Sequence, residues 1–229
     1  MGAIATALQA CRDRIATTCA ASGRGPDCAR LIAVSKTFPV EAILEAHLAG
    51  QVCFGESYVQ EAQPKLDALA HLPLEWHFIG PLQSNKTRPV AERFHWVHGV
   101  ERDRIAHRLA EQRPAHLPPL NVCIQVNVSG EASKSGVPPE QALALAGLVA
   151  GLPRLRPRGF MAIPEPTPDH ALRRARFRVL ADLLAQARSA GLDLDTLSMG
   201  MSDDLEDAIL EGATMVRVGT AIFGARHYP

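Results

Sequence analysis

Short apolar runs alternate with stretches of helical periodicity along almost the whole chain, and this alternation constrains the fold more than any other feature. Each run is bounded by turn residues or by a helical pattern, which predicts a buried strand. The predicted strands cover residues 31–35, 52–55, 76–79, 96–98, 122–127, 158–162, 196–199 and 215–218. Strands that alternate with helices favour a parallel sheet.

The segments between the predicted strands carry helix signals. The segment 40–49, for example, ends at Gly50, a glycine at the usual position for helix termination. Ile4, Leu8, Cys11 and Ile15 recur at helical spacing, which predicts an amphipathic helix within residues 1–22, before the first strand. The other predicted helices cover residues 58–70, 101–111, 138–152, 170–190 and 204–211, with short ones after Ser84 and Gly219.

Eight strand–helix units within about 200 residues predict a closed (β/α)8 TIM barrel, near the short end of the range for that fold. A doubly wound open sheet is the alternative. No Gly-x-Gly-x-x-Gly turn follows the first strand, which argues against the dinucleotide-binding form of that sheet. Because no linker or low-complexity segment divides the chain, we expect one domain over residues 1–229, with residues 1–22 as its leading helix.

The charge balance excludes several classes of partner. Lys+Arg and Asp+Glu both number 24, so the formal net charge is zero. We therefore expect no nucleic-acid partner, and we interpret Arg173, Arg174, Arg176 and Arg178 as one solvated helix face. No apolar run approaches the roughly 20 residues of a membrane span, so no membrane partner is expected either.

Cysteine usage and the amino terminus bear on the compartment. The five cysteines contain no Cys-x-x-Cys pair, which predicts reduced, structural thiols. Residues 1–22 lack the layout of a signal peptide. Together these features predict a cytoplasmic protein.

Polar residues follow the predicted strands, and the carboxyl ends of barrel strands converge on one mouth. Lys36 follows the first strand. A desolvated lysine loses its charge and becomes a nucleophile suited to Schiff-base chemistry, although a lone lysine at a strand end more often reaches the surface. The other strand ends contribute Glu56, Ser57, His77, Asn127, Ser198 and Arg217.

The last two strand ends carry the features of a phosphate site. The loops after strands seven and eight usually bind phosphate in this fold. Here the hydroxyl of Ser202 and the N–H groups of Gly219 and Thr220 would hold an anion. The alternative is that the glycines of these loops only form tight turns. With Lys36 and the planar Arg217 on the same rim, the set suits a phosphorylated aldehyde such as pyridoxal phosphate. His95 and His98 form the nearest approach to a metal pair, and no third ligand accompanies them.

Seven motifs resemble the pyridoxal-phosphate homeostasis protein family, whose barrel is similar to the cofactor domain of alanine racemase. They read AVSK (33–36), FGESYVQE (54–61), WHFIGPLQSNK (76–86), VN with KSG (126–136), GFMAIP (159–164), LSMGMSDD (197–204) and VRVGTAIFG (216–224). Seven motifs in order over about 190 residues form a specific match. One departure is Ser57, where family members usually have asparagine.

The resemblance implies how pyridoxal 5'-phosphate would be held. It implies an internal aldimine on Lys36, a phosphate held by Ser202 and the Gly219-Thr220 turn, and Arg217 facing the pyridine nitrogen. An arginine there would keep the ring nitrogen unprotonated and make the ring a weaker electron sink. With the strand-end residues included, the expected cofactor-binding set is Lys36, His77, Asn127, Ser198, Ser202, Arg217, Gly219 and Thr220.

Two functions fit this resemblance. Racemisation needs a proton-transferring group on each face of the substrate, and only Lys36 is evident. We therefore expect a protein that carries or buffers the cofactor without efficient turnover, with apoenzymes as candidate recipients. We also expect it to be a monomer. The alternative is a weak amino-acid racemase that uses Tyr58 or His77 as its second base. Lys86 and Lys134 are candidates to accept the cofactor during release, although surface charge is their more ordinary role.

Overall fold

Eight parallel strands close into a barrel in the computed structural model, which describes residues 2–131 and 135–225. Each strand pairs with its neighbours in sequence, and the last strand pairs with the first. The strands are β1 Arg30–Val34, β2 Cys53–Glu56, β3 Glu75–Phe78, β4 Trp96–Val100, β5 Leu120–Gln125, β6 Leu155–Met161, β7 Thr196–Ser198 and β8 Met215–Val218. The predicted (β/α)8 barrel is confirmed, and the open-sheet alternative is excluded because β8 pairs with β1.

Helices surround the barrel. They are α1 Ala3–Ala21, α2 Val40–Leu48, α3 Val59–Ala68, α4 Thr87–Arg93, α5 Asp103–Gln112, α6 Pro139–Ala150, α7 His170–Ser189, α8 Leu205–Leu210 and α9 Thr220–Phe223, with a 3-10 turn at Ser84–Lys86. The predicted leading helix is α1, which packs against α2, α8 and α9. It buries Leu8, Cys11 and Ile15, three of the four residues that predicted its apolar face.

Alternate residues of each strand point into the barrel, as the two-residue period of a strand requires. The inward-facing residues Ile32, Cys53, Trp96, Cys123, Met161 and Met215 form one apolar cluster. Their neighbours along the strands, such as Ala33 and Val216, pack in a separate core beneath the helices. Because both faces are covered, the strands read as continuous apolar runs rather than as alternating ones.

The four arginines that the sequence places on one helix face lie on α7, and each forms an ion pair. Arg174 and Arg178 pair with Glu211, at 2.7 and 2.9 Å. Arg173 and Arg176 pair with Asp207 and Glu165, at 3.0 and 3.2 Å. Three carboxylates therefore neutralise most of the positive charge on this helix face. No helix in the described part of the chain is long and apolar enough to cross a membrane.

Two of the five cysteines are joined, so the prediction of five reduced thiols is wrong for this pair. Cys19 near the end of α1 forms a disulfide with Cys28, and their Cα atoms are 5.9 Å apart. The turn between them is closed by Arg24, which donates to the carbonyl oxygens of Cys28 and Ala213. No local cysteine pattern signals this pairing, because the turn alone brings the thiols together. The other three cysteines, Cys11, Cys53 and Cys123, are free and buried.

Replacement of Cys28 by serine is expected to lower the free energy of unfolding. The bridge spans nine residues, and the entropy of closing a loop of this length is worth about 2–3 kcal/mol. Urea unfolding of wild type and Cys28→Ser, both without reductant, measures the difference. The control is wild type in reductant, which should match the variant. Titration of five thiols, rather than three, in unfolded and unreduced protein would contradict the bridge.

Candidate functional site

A cavity of about 520 Å³ opens at the carboxyl ends of the strands. Five of the eight predicted cofactor-binding residues line it, namely Lys36, Ser202, Arg217, Gly219 and Thr220. They come from the ends of β1 and β8 and from the loop after β7, which the closed barrel brings to one rim. Another cavity, of about 440 Å³, lies between α1 and the amino ends of β1 and β2 and contains none of the predicted residues.

Buried charges fix the residue that precedes Lys36. Ser35 donates from its hydroxyl to Glu56 Oε1 at 2.7 Å, and its carbonyl accepts from Lys65 Nζ at 2.9 Å. Lys65 Nζ also lies 2.9 Å from Glu56 Oε1. Glu56 is fully buried and Lys65 is 6% exposed, so the two charges depend on each other. Burial raises the pKa of Glu56, and the charge of Lys65 offsets part of that rise.

The residue that follows Lys36 is also held. Thr37 has a φ of 69°, in the left-handed region that β-branched residues rarely adopt. Its N–H donates to the carboxylate of Glu61, which lies 2.8 Å from Lys65 Nζ. One buried network therefore positions the backbone on both sides of Lys36. Sequence analysis did not identify Lys65, although its spacing of four residues from Glu61 on a helix is a signal for such a pair.

Arg217 lies at the floor of the cavity and is 3% exposed. Its Nη1 donates to the carbonyl oxygen of Ser198 at 2.7 Å and to the hydroxyl oxygen at 2.6 Å. Its Nη2 donates to the carbonyl oxygen of Ala162 at 2.9 Å. Burial lowers the pKa of Arg217 to about 10, with a partial offset from Asp204, so the guanidinium stays charged at neutral pH. Ser198 does not line the cavity, and it is connected to the cavity by its hydrogen bond with Arg217.

The predicted phosphate end of the cavity includes a cation that sequence analysis missed. Arg14 of α1 lines the cavity, and its Nη2 donates to the carbonyl oxygen of Ser202 at 3.1 Å. It also pairs with Glu206 at 2.8 Å. Arg14 and Ser202 are 188 residues apart, so no local pattern connects them.

Gly219 allows β8 to end close to β1 at the same rim. A Cβ at this position would lie 3.1 Å from the carbonyl oxygen of Val34 and 3.3 Å from its Cβ. Thr220 begins α9 directly after it. The N–H groups in the first turn of a helix have no acceptor within the helix, so they suit an anion placed at this rim.

His77 and Asn127 lie outside the lining of the cavity. His77 is fully buried inside the barrel, where its Nδ1 lies 3.0 Å from His98 Nε2. The side chain of Asn127 orders its own loop: its amide donates to Glu131 O at 2.7 Å and its oxygen accepts from Gly130 N at 3.1 Å. A direct contact of either residue with a cofactor stays a prediction.

The other candidates lie at the edge of the site. Tyr58 and Lys86 line a smaller cavity of about 240 Å³, which shares Ser57 with the larger one. Neither Tyr58 nor His77, the two candidates for a second base, is among the residues that line the larger cavity. Lys134 lies outside the described residues.

The two histidines considered as metal ligands have different surroundings. His95 accepts the backbone N–H of Trp76 at 3.0 Å through its Nδ1. His98 is fully buried, and its Nδ1 lies 2.7 Å from Ser198 Oγ. Each ring therefore has a structural partner of its own.

Removal of the Lys65 amine is expected to destabilise the protein in a pH-dependent way. Lys65→Met leaves Glu56 buried without its partner, which costs about 3–5 kcal/mol. The pKa of Glu56 is already raised in the folded protein and rises further without the amine. A group of this kind stabilises the fold while protonated, so stability is lost as the pH rises above the ordinary value of about 4.3.

Urea unfolding of Lys65→Met at about pH 5 and about pH 8 measures this effect, and the loss should be larger at the higher pH. Lys86→Met, which removes an amine that pairs with neither Glu56 nor Glu61, is the control. An equal loss at both pH values would show that the charge of Glu56 is not the cause.

Comparison with known proteins gives consistent matches. Residues 7–227 match the family described as alanine racemase, N-terminal domain. The pyridoxal phosphate homeostasis protein of Pseudomonas aeruginosa is 61% identical over 228 residues, which cover 100% of this chain and 98% of that protein. The protein of that name from Escherichia coli is 53% identical over 231 residues, which cover 100% of this chain and 99% of the relative.

A solved structure agrees with these matches. PipY of Synechococcus elongatus, with PLP bound, is 37% identical to this chain and superimposes with a TM-score of 0.81. The match covers 96% of this chain and 100% of PipY. The family signal thus spans the barrel and the rim that carries Lys36, Ser202 and Arg217. The chain belongs to the pyridoxal phosphate homeostasis protein family.

Proposed function

We propose that this protein binds pyridoxal 5'-phosphate in the cavity at the strand ends, as a Schiff base on Lys36, and carries or buffers the cofactor within the cell. The observation that carries the proposal is that Lys36, Arg217, Ser202 and the Gly219-Thr220 turn line one cavity. The relatives named for homeostasis of this cofactor, and the PLP-bound PipY structure, support it.

The residues present fit the cofactor. The cavity volume of about 520 Å³ lies within the usual range for small-molecule sites. An amine, a guanidinium and a set of hydroxyl and N–H donors match an aldehyde, a ring nitrogen and a phosphate respectively. When bound, the cofactor supplies an electrophilic aldehyde and an electron-accepting ring.

Arg217 favours retention of the cofactor over turnover. A guanidinium donates hydrogen bonds and does not accept them, so it would leave a ring nitrogen unprotonated. A ring in that state accepts electrons weakly, which disfavours loss of a substrate proton. The two candidates for a second base also lie away from the cavity lining, so the arrangement supports a carrier rather than a racemase.

Arg14 adds a charge at the proposed phosphate end. It reaches the cavity from α1, where it already contacts the carbonyl oxygen of Ser202. A cation at this point would favour the phosphorylated cofactor over the free aldehyde. The leading helix would therefore contribute to the choice of ligand.

The partners and the compartment extend this proposal. We propose a monomer, and the neutral charge supports the absence of a nucleic-acid partner. Apoenzymes that use the cofactor are the proposed recipients, and the cytoplasm is the proposed location. The Cys19–Cys28 bridge removes reduced thiols as an argument for that location.

Absorption spectra test the cofactor and its lysine. Wild type mixed with pyridoxal phosphate and then desalted should keep a visible Schiff-base band that borohydride abolishes. Lys36→Ala should lose the band, because Lys36 supplies the amine among the described residues that line the cavity, while Lys86→Ala should keep it. A wild type that retains no band would contradict the proposed function.

Ligand affinities test the role of Arg14. Arg14→Ala should weaken the binding of pyridoxal phosphate by about three- to tenfold, which corresponds to one ordinary hydrogen bond because solvent screens the partly exposed Arg14. The binding of pyridoxal, which lacks the phosphate, should change little. Fluorescence titration with both ligands gives the comparison. Arg12→Ala is the control, since Arg12 lies on the same helix and donates to Ala49 O. An equal loss for both ligands would rule out a phosphate contact.

A further inference from the structure

A row of polar side chains crosses the barrel interior from the amino end of β3 to Arg217. Glu75 Oε1 lies 2.9 Å from His77 Nε2, and His77 Nδ1 lies 3.0 Å from His98 Nε2. His98 Nδ1 lies 2.7 Å from Ser198 Oγ, which lies 2.6 Å from Arg217 Nη1. His77, His98 and Ser198 are fully buried. We call these five residues the interior chain.

The two ends of the interior chain determine the direction of its hydrogen bonds. A guanidinium can only donate and a carboxylate can only accept. Ser198 Oγ therefore accepts from Arg217. A hydroxyl oxygen can accept twice, so it is Glu75 at the other end that makes Ser198 the donor to His98 Nδ1. His98 Nε2 then donates to His77 Nδ1, and the N–H of His77 Nε2 faces Glu75. This last contact is short but poorly aligned for a hydrogen bond.

The opposite assignment fails at Glu75. It would place the lone pair of His77 Nε2 against the carboxylate, which is repulsive. Both rings are thus neutral and carry their proton on Nε2. The electrostatics agree, because burial lowers the pKa of both His77 and His98. Burial acts to raise the pKa of Glu75, but His77 and Arg30 bring it down to about 2.

The lower end of the interior chain is anchored by a second arginine. Arg30 Nη2 lies 3.1 Å from Glu75 Oε1 and donates to Cys53 Sγ at 2.8 Å. Cys53, Glu75 and His77 offer groups within 4.8 Å of one another, a spacing that metal ligands can adopt. Here the guanidinium supplies the positive charge beside them. Glu75 thus remains an anion at the end of the barrel opposite to the cavity.

We propose that Glu75, His77 and His98 are positioning residues for the cofactor site. The interior chain keeps a lone pair of Ser198 Oγ directed at Arg217, so the guanidinium presents its remaining N–H groups to the cavity in one orientation. Without it, the Ser198 hydroxyl is free to rotate and can turn its hydrogen toward Nη1, so the carbonyl oxygen of Ser198 is the one acceptor for Nη1 that stays fixed. This inference rests on the proposed function for the identity of the group that Arg217 meets. In this proposal His77 acts on the cofactor site through Arg217 and not by contact with the cofactor.

Glu75→Gln is the first test, because Glu75 lies far from the cavity lining. The amide can offer either its oxygen or its NH2 group to His77, so it no longer restricts His77 to one tautomer or fixes the direction of the hydrogen bonds beyond it. The affinity for pyridoxal phosphate should fall by about five- to tenfold, which is less than the loss of a whole hydrogen bond to a charged group because Nη1 keeps the carbonyl oxygen of Ser198. The Schiff-base band should still form on Lys36. Asp195→Asn is the matched control, since Asp195 lies at the same end of the barrel and pairs with Arg158; its affinity should equal that of wild type.

His98→Asn is the second test, and it separates the interior chain from a local contact. The asparagine amide stays near Ser198 but is too short to reach His77, so nothing fixes whether its oxygen or its nitrogen faces the Ser198 hydroxyl. The same loss of affinity as in Glu75→Gln is expected. Affinity equal to that of wild type would mean that only the local acceptor matters, which overturns the proposal.

Nitrogen NMR of histidine-labelled protein reports the tautomers without any cofactor. In wild type both rings should be neutral with the proton on Nε2, and in Glu75→Gln the His77 signal should show both tautomers. Wild type with these tautomers but no bound cofactor would defeat the proposed function and not the interior chain. Any other wild-type tautomers, or a tautomer change in Glu75→Gln without a change in affinity, would overturn this proposal.

Discussion

Pairing of β8 with β1 is the constraint on which the rest of the structure depends. The register places Ile32 opposite Arg217 and Ala33 opposite Val218. Lys36 and Gly219 follow these strands directly, so two residues 183 positions apart in the sequence (219 minus 36) share one rim. A Cβ at Gly219 would crowd Val34, which makes the approach of the two strand ends dependent on that glycine. Barrel closure therefore builds the cavity.

Buried charged groups lie on both faces of the strands, with Arg217 inside the barrel and Glu56 and Lys65 beneath the helices, and each has its own compensation. Glu56 and Lys65 balance each other beside Lys36. Arg217 forms no such direct ion pair within residues 2–131 and 135–225, and it donates to the carbonyl oxygens of Ser198 and Ala162. Carbonyl oxygens stabilise a guanidinium without neutralising it, so its positive charge stays available at the floor of the cavity. This suits a site that holds an electron-rich ring nitrogen.

The two networks around the cavity constrain different parts of it. The network of Glu56, Glu61 and Lys65 holds the backbone around Lys36, including the strained Thr37. The interior chain holds Arg217 from below. A site supported on both sides can bind a ligand without a large loss of conformational entropy, which favours retention. The leading helix adds Arg14 and closes the rim from the outside.

The sequence by itself determined the eight strand–helix units, the parallel sheet and the position of Lys36, Ser202 and Arg217 at strand ends. These features follow from local signals, namely short apolar runs and the turn residues beside them. Only the tertiary structure decided that His77 points into the barrel toward His98, away from the cavity. The direction of a strand residue depends on barrel register, and a shift of one position reverses it.

Contacts between distant segments were likewise beyond the sequence pattern. Arg14 contacts Ser202, which is 188 positions away in the sequence. Lys65 of α3 contacts the carbonyl oxygen of Ser35, next to Lys36, only because the fold places α3 beside the ends of β1 and β2. The Cys19–Cys28 bridge depends on a turn that brings two ordinary-looking cysteines together. The Arg14 and Lys65 contacts leave no periodic signal, because their groups meet only after the barrel closes, whereas the disulfide forms across a local turn.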